Sequence, residues 1–215
     1  METFSGAPSA FLKNVKPLFP NQHGFLPRRS TVTCLLQCIN NWTLSLERNL
    51  PIDVIYLDFE KAFDRVPHRR LLYKLELVGI RGLLLRSIEA FLINRCFSVK
   101  IGSFYSTRRT VLSGVPQGTV LGSILFLLYI SDLLTLIKPS HAFYADYGRL
   151  YGKPVENSQV IQDDLQIIHK WTCNWLMPLN NSKCFILRLG KNNPNTNYIT
   201  ENHSFKTVRE INDLG

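Results

Sequence analysis

The chain has 215 residues, 45% apolar and 19% charged, which is enough for one sizeable core or two small ones and excludes a disordered or fibrous chain. Its net charge of +9 favours an anionic partner, nucleic acid ahead of an acidic membrane surface, over a basic surface that binds nothing. Five scattered cysteines (Cys34, Cys38, Cys96, Cys173 and Cys184) with no C-x-x-C argue against a disulfide framework or zinc ribbon and for a reducing compartment.

In chain order, the first 29 residues read as irregular, punctuated by Pro8, Pro17, Pro20 and Pro27, with no basic start and apolar core of a signal peptide. Ser30 can cap a helix to about Arg48, with Val32, Leu35, Leu36 and Ile39 as its apolar face and Cys34 and Cys38 sharing a packing face. Asp53 to Asp58 reads as a buried strand. Helices are expected over about His68 to Val78 and Leu83 to Asn94, then paired strands Phe97 to Ile101 and Arg108 to Leu112 around Gly102-Ser103. Val120 to Ile137 is a long apolar run; Ser123, Ser131 and Asp132 interrupt it, and it reads as a buried helix rather than a membrane span. A hairpin carrying Asp146 follows. Next come a helix over about Asn157 to Leu176, with Ile161, Leu165, Ile168 and Trp171 on one side, a strand at Phe185 to Leu189, and an Asn-rich loop. This irregular alternation suggests an α+β fold with an antiparallel sheet.

Two carboxylates stand out. Asp58 ends a buried strand, where an ionised group needs a partner or a cation. Asp146 sits at a turn between apolar segments. On neighbouring strands the two would converge as a hard-oxygen site for Mg²⁺ or Mn²⁺, ions that also grip phosphates. Taken singly, each acid reads as a cap, turn or salt-bridge residue. In SGVPQGTVLG (Ser113 to Gly122) two glycines flank Val-Pro-Gln ahead of a helix, an arrangement that lets backbone approach a ligand. A tight turn capping a buried helix is the plainer account.

Taken together, VIYLDFEKAFDRVPH (Val54 to His68), VLSGVPQGTVLGSILFLLYISDL (Val111 to Leu133) and FYADYGRLYG (Phe143 to Gly152) resemble, in order and spacing, the reverse transcriptases of non-LTR retrotransposons. NQHGFLPRRSTV (Asn21 to Val32) is similar to the segment before the palm, and LQIIHKWTCNWLMPLNNSKC (Leu165 to Cys184) to the later palm helix with its lysine motif. Asp213-Leu214-Gly215 resembles the start of the next motif.

The resemblance implies a right-hand polymerase palm over residues 21–215, with partial fingers, after an irregular segment 1–20. It implies Asp58 and Asp146 as metal carboxylates, assisted by the Phe59 carbonyl, and Lys183 as a proton donor near the leaving pyrophosphate. Phe63 would be the aromatic gate against a 2′-hydroxyl, and Gln117 and Gly118 would contact nucleotide and template. Lys61 and Asp64 would brace the motif. Arg28, Arg29, Arg108 and Arg109 are candidates for backbone phosphates; each alone also reads as a solvated surface charge. The implied cofactor is Mg²⁺ or Mn²⁺. The implied partners are an RNA template, a DNA primer and deoxynucleoside triphosphates, with no membrane, in a nuclear or cytoplasmic setting.

Some positions depart from that pattern. At the hairpin the family has aromatic-Ala-Asp-Asp, and this chain has Tyr144-Ala145-Asp146-Tyr147. Leu26 stands where the family has Arg. The first twenty residues show no match, and the upstream fingers and the thumb are expected to be missing. The expectation is a polymerase domain with weak or no synthesis. The alternatives are a non-catalytic nucleic-acid-binding remnant, a poorly folding fragment and, remotely, a metal-dependent nuclease.

Overall fold

The computed structural model describes residues 19, 21–138, 141–201 and 203–213. In chain order the elements are α1 (Thr31–Glu47), β1 (Ile52–Asp58), α2 (Ala62–Arg65), α3 (His68–Leu77) and α4 (Gly82–Leu92). Four two-residue strands follow: β2 (Cys96–Phe97), β3 (Lys100–Ile101), β4 (Phe104–Tyr105) and β5 (Arg109–Thr110). The rest are α5 (Val120–Leu136), β6 (His141–Tyr144), β7 (Tyr147–Gly152), α6 (Pro154–Trp175), β8 (Phe185–Leu189), β9 (Ile199–Thr200), β10 (His203–Ser204) and β11 (Lys206–Val208). They form two compact units, one of residues 1–60, 131–174 and 178–215, the other of 61–130 and 175–177. Among the described residues no helix is long and apolar enough to cross a membrane.

The first unit is built on a five-stranded sheet in the order β11-β8-β1-β7-β6. β1 lies at its centre, antiparallel to β7 and β8, and its apolar run follows from burial on both faces. Side chains alternate along it. Ile52, Val54 and Tyr56 face a core shared with Cys34 and Cys38 of α1. On α6, Ile161, Leu165, Ile168 and Trp171 are buried as expected. The antiparallel sheet needs one correction: the edge strand β11 runs parallel to β8. Lys-Thr-Val carries too short a pattern to announce a strand.

The expected face of α1 is also corrected. Ser30 caps it as read, with a reciprocal Ser30–Thr33 capping box, and Asn49 in the left-handed region follows its end. The buried side, however, is the cysteine side; Val32, Leu36 and Ile39 are at least half exposed. Small, thin Cys34 and Cys38 let the helix lie close on β1 and β6, so compactness outweighed hydrophobicity in choosing the face. α6 contains a non-helical Asn157, so regular helix begins after it, close to the expected start.

The second unit holds α2, α3, α4, the four short strands and the start of α5. The sequence expectation of one strand pair around Gly102-Ser103 resolves into two ladders of a single long ribbon: Lys100–Tyr105 and Ile101–Phe104 near the tip, Cys96–Thr110 and Phe97–Arg109 at the base. The pairing sum shifts by one residue between the two ladders, as a bulge on the returning strand requires. In α5, Ile124 to Ile130 are all buried, in keeping with its apolar run.

Candidate active site

β1 delivers Asp58 to the end of the sheet, where it stands opposite Tyr147, the first residue of β7. Tyr144 and Tyr147 pair, so Ala145 and Asp146 form a two-residue turn with φ +55° at Ala145. A positive φ at that first position matches the turn to the twist of the flanking strands. Asp146 therefore sits one residue beyond the partner of Asp58, and both acids lie at one end of adjacent strands.

The turn is held from below by a residue that sequence reading passed over. The fully buried Gln22 amide accepts from Ala145 N and Gly24 N, each at 2.8 Å, and donates to Ala145 O at 3.1 Å. His23 N donates to Phe143 O at 2.7 Å and Phe143 N to Asn21 O at 2.8 Å, so residues 21–23 lie along β6. Gly24 is required here, because a Cβ would fall 2.4 Å from Ala145 N.

Lys183, in a 3₁₀ turn at Asn181–Lys183, places Nζ 3.6 Å from Asp58 Oδ2. Burial pushes the Asp58 carboxyl above the usual range, and Lys183 opposes that shift. Burial also raises Asp146; its own backbone N–H lowers it, and the Asp58 charge raises it again. Asp146 thus lies within the field of Asp58, and Lys183 acts on both as a shared cation. Phe59 bridges Leu179 in an antiparallel pair, with Glu60 N donating to Pro178 O and Asn180 N to Asp58 O. In that geometry the Phe59 carbonyl points away from Leu179, toward the hairpin side of β1. Among the described residues no group of three or more His, Cys, Asp or Glu gathers as a metal cage.

Strand β1 also carries Asp53, fully buried but on the opposite face, where it accepts from Tyr198 Oη (2.9 Å) and Asn193 Nδ2 (2.7 Å). It is a satisfied core acid. Tyr147 shares the Asp58 face. Its ring lies 5.9 Å from Tyr56 and 5.1 Å from the Arg149 guanidinium. Burial raises its phenol, so it stays neutral.

In the second unit, Phe63 stacks on Phe126 with centroids 4.5 Å apart. The Ser113–Gln117 turn is tied to the segment around Phe63: Val115 N donates to Phe63 O, Gly114 N to Val66 O and Ser113 Oγ to Asp64 O, at 2.7–2.8 Å. His68 Nε2 (2.9 Å) and Arg95 Nη2 (2.7 Å) both donate to Gly114 O. Gly114 has φ +91° and no room for a Cβ against Asp64. This frame leaves Gln117 and Gly118 exposed, with Gln117 on the rim of a cleft of about 570 Å³ that Arg95, Phe97 and Asp64 also line. Of the candidate arginines, Arg28, Arg108 and Arg109 are exposed, whereas Arg29 donates to Gln22 O and so braces the hairpin clamp.

The model of the reverse transcriptase (RNA-dependent DNA polymerase) family matches residues 7–215. The chain belongs to that family. The match begins at residue 7, upstream of the Asn21 segment, which corrects the expectation that the first twenty residues match nothing. Among curated relatives, the RNA-directed DNA polymerase from mobile element jockey of Drosophila melanogaster is 30% identical over 184 residues, 80% of this chain and 20% of that protein. The probable RNA-directed DNA polymerase from transposon X-element, from the same fly, is 30% identical over 193 residues, 84% of this chain and 21% of that protein. This reverse transcriptase chain therefore spans about a fifth of the length of the curated relatives it matches. A solved telomerase from Candida albicans superposes with TM-score 0.64 at 14% identity, covering 87% of this chain and 35% of that one, which supports the α+β fold.

The reverse transcriptase hairpin fits a divalent cation by its chemistry. Two carboxylates and a free-facing carbonyl are hard oxygen donors, and their burial leaves negative charge that Lys183 only partly offsets. Mg²⁺ is commonly held by one or two carboxylates together with substrate phosphates rather than by a complete protein cage.

Proposed function

We propose that residues 21–215 are the palm, with part of the fingers, of an RNA-directed DNA polymerase of a non-LTR element, preceded by segment 1–20, and that its nucleotidyl-transfer centre is weakened by Tyr147. The observation that carries this reading is the Asp58–Tyr147 register, which sets Asp58 and Asp146 at one sheet end with Lys183 3.6 Å from Asp58. Asp58, Asp146 and the Phe59 carbonyl would hold Mg²⁺ or Mn²⁺, which when bound supplies Lewis-acid stabilisation of a transferring phosphoryl group. The chain's own residues do the rest. Gln22 fixes the hairpin turn, and Lys183 holds a proton beside Asp58 for the leaving side. Gln117 and Gly118 present polar, unhindered backbone to a nucleotide, and Phe63, stabilised by Phe126, bounds its sugar. Arg28, Arg108 and Arg109 are free to meet phosphates.

Tyr147 limits this chemistry. Its neutral phenol faces Asp58 where the family carries a second hairpin acid, so the centre lacks one negative charge. The same observation favours a second reading, in which the chain binds nucleic acid without copying it. The proposed partners are an RNA template, a DNA primer and deoxynucleoside triphosphates, in a nuclear or cytoplasmic setting.

Primer extension on an RNA template with Mg²⁺ or Mn²⁺ tests both readings. The expected result is little or no product, with Asp58→Asn abolishing whatever remains and Tyr147→Asp raising it. Robust processive synthesis by the unaltered chain overturns the role given to Tyr147. Salt-sensitive RNA binding with no synthesis in either the unaltered chain or Tyr147→Asp selects the second reading.

A further inference from the structure

The ribbon from Arg95 to Thr110 is exposed in an unusual way. Phe104 is 79% exposed, Tyr105 66% and Phe97 53%, large rings that a stable fold ordinarily buries. The same sixteen residues carry four cations, Arg95, Lys100, Arg108 and Arg109, and no acid. Cross-strand pairing interleaves the two kinds of side chain: Phe97 stands opposite Arg109 and Tyr105 opposite Lys100, whose Nζ lies 5.4 Å from the Tyr105 ring centroid. That is within cation–π range.

We propose that this ribbon is a docking arm for single-stranded nucleic acid that wraps its tip, with Tyr105 on one face and Phe104 on the other each offering a stacking surface to an unpaired base, and Lys100, Arg108 and Arg109 as contacts for neighbouring phosphates. Aromatic faces alternating with cations are what an unpaired strand requires, since every base offers a π-face and every linkage a charge. A paired strand keeps its bases stacked on each other and leaves such rings unused. The charge also separates this patch from the exposed apolar strip of α1. On α1, Val32, Leu36 and Ile39 are accompanied within the helix by a single charge, the acid Glu47, which does not suit a polyanion. The tip of the ribbon is free for this task, because Ile101 and Phe104 pair with each other and are 76% and 79% exposed. At its base, Phe97 and Arg95 line the cleft that Gln117 borders, so a strand lying on the ribbon leads toward the turn assigned to nucleotide and template. The inference rests on the polymerase reading, adding to it a place for the unpaired strand ahead of copying.

Fluorescence anisotropy with the full 215-residue chain decides the matter. The probes are unstructured RNA and DNA single strands of roughly 15 nucleotides, within the span such platforms cover, and a blunt duplex of the same sequence. The double variant Phe104→Ala/Tyr105→Ala is expected to bind single strands about tenfold more weakly or worse, with the slope against salt unchanged and duplex affinity little altered. Lys100→Ala is expected to lower the slope of log K against log salt by about 0.7. Equal weakening on RNA and DNA assigns the arm to any unpaired strand; weakening on RNA alone assigns it to the template. Circular dichroism and a thermal melt matching the parent confirm that the exposed substitutions leave the fold intact. If the parent binds none of the probes, the nucleic-acid reading fails and takes the arm with it. If the parent binds and the ring variant binds single strands equally well, the docking arm alone is overturned.

Discussion

At the scale of single residues, the chemistry turns on carboxylates that the fold pushes toward protonation. Burial raises both Asp58 and Asp146, so the native state holds their protons more tightly than the unfolded chain does. The associated stability is complete below the ordinary carboxylate value of about 4. It is lost as pH rises through the raised native values. Urea midpoints measured across that range should therefore fall with rising pH. Asp146→Asn should flatten the fall, leaving the shares due to Asp58 and Asp164, which burial also raises. At neutral pH, Mg²⁺ should raise the midpoint of the parent and not of the variant. An undiminished slope in Asp146→Asn would show that the titration of Asp146 is uncoupled from folding. The acids were legible in the sequence only as a pair within their motifs, since each alone reads as a cap, turn or salt-bridge residue. Gln22 was not legible, since its importance lies in a turn 123 residues away.

At the scale of elements, local pattern and packing agree over most of the chain, and the exceptions have physical causes. β1, β8 and α6 stand where apolar periodicity set them, because one-sided or two-sided burial writes itself into sequence. α1 was placed correctly and faced wrongly: periodicity finds a stripe, but two small cysteines allow a closer approach to the sheet than the stripe does. β11 went unseen because a three-residue edge strand gains its order from β8 rather than from its own residues. Past this edge strand the chain is fixed by Asp213, which engages the fully buried Arg149 of β7 through both carboxylate oxygens and accepts from Tyr56 Oη at 3.1 Å. Cys34 Sγ lies 3.3 Å from the same guanidinium. Removing one member of such a pair strands the other in low dielectric. Asp213→Asn should thus cost about 3–5 kcal/mol, measured by chemical denaturation. Arg149→Met with Asp213→Leu should recover much of it, and a cost no larger for the single variant than for the double would contradict a buried pair.

At the scale of the molecule, the excess of positive charge and the family match point the same way, and the fold explains why distant segments are needed together. β1 takes its partners from residues 147–152 and 185–189, so the sheet is assembled from contacts far apart in sequence. Such topologies close slowly, and chains of this length pass through intermediates. Stopped-flow refolding followed by tryptophan fluorescence should accordingly be multiphasic; a single submillisecond phase would contradict the sheet described. The clamp at Gln22 carries this to the ribosome. At about 5–20 residues per second, Gln22 leaves the tunnel roughly 6–25 s before Ala145, the residue it must hold. Throughout that interval its amide has only water to bind, and Asp58 waits as a lone acid on an unpaired strand. The nascent polypeptide thus acquires its two-carboxylate sheet end late in translation, and a message cut short before the Ala145 codon yields a product that never has one.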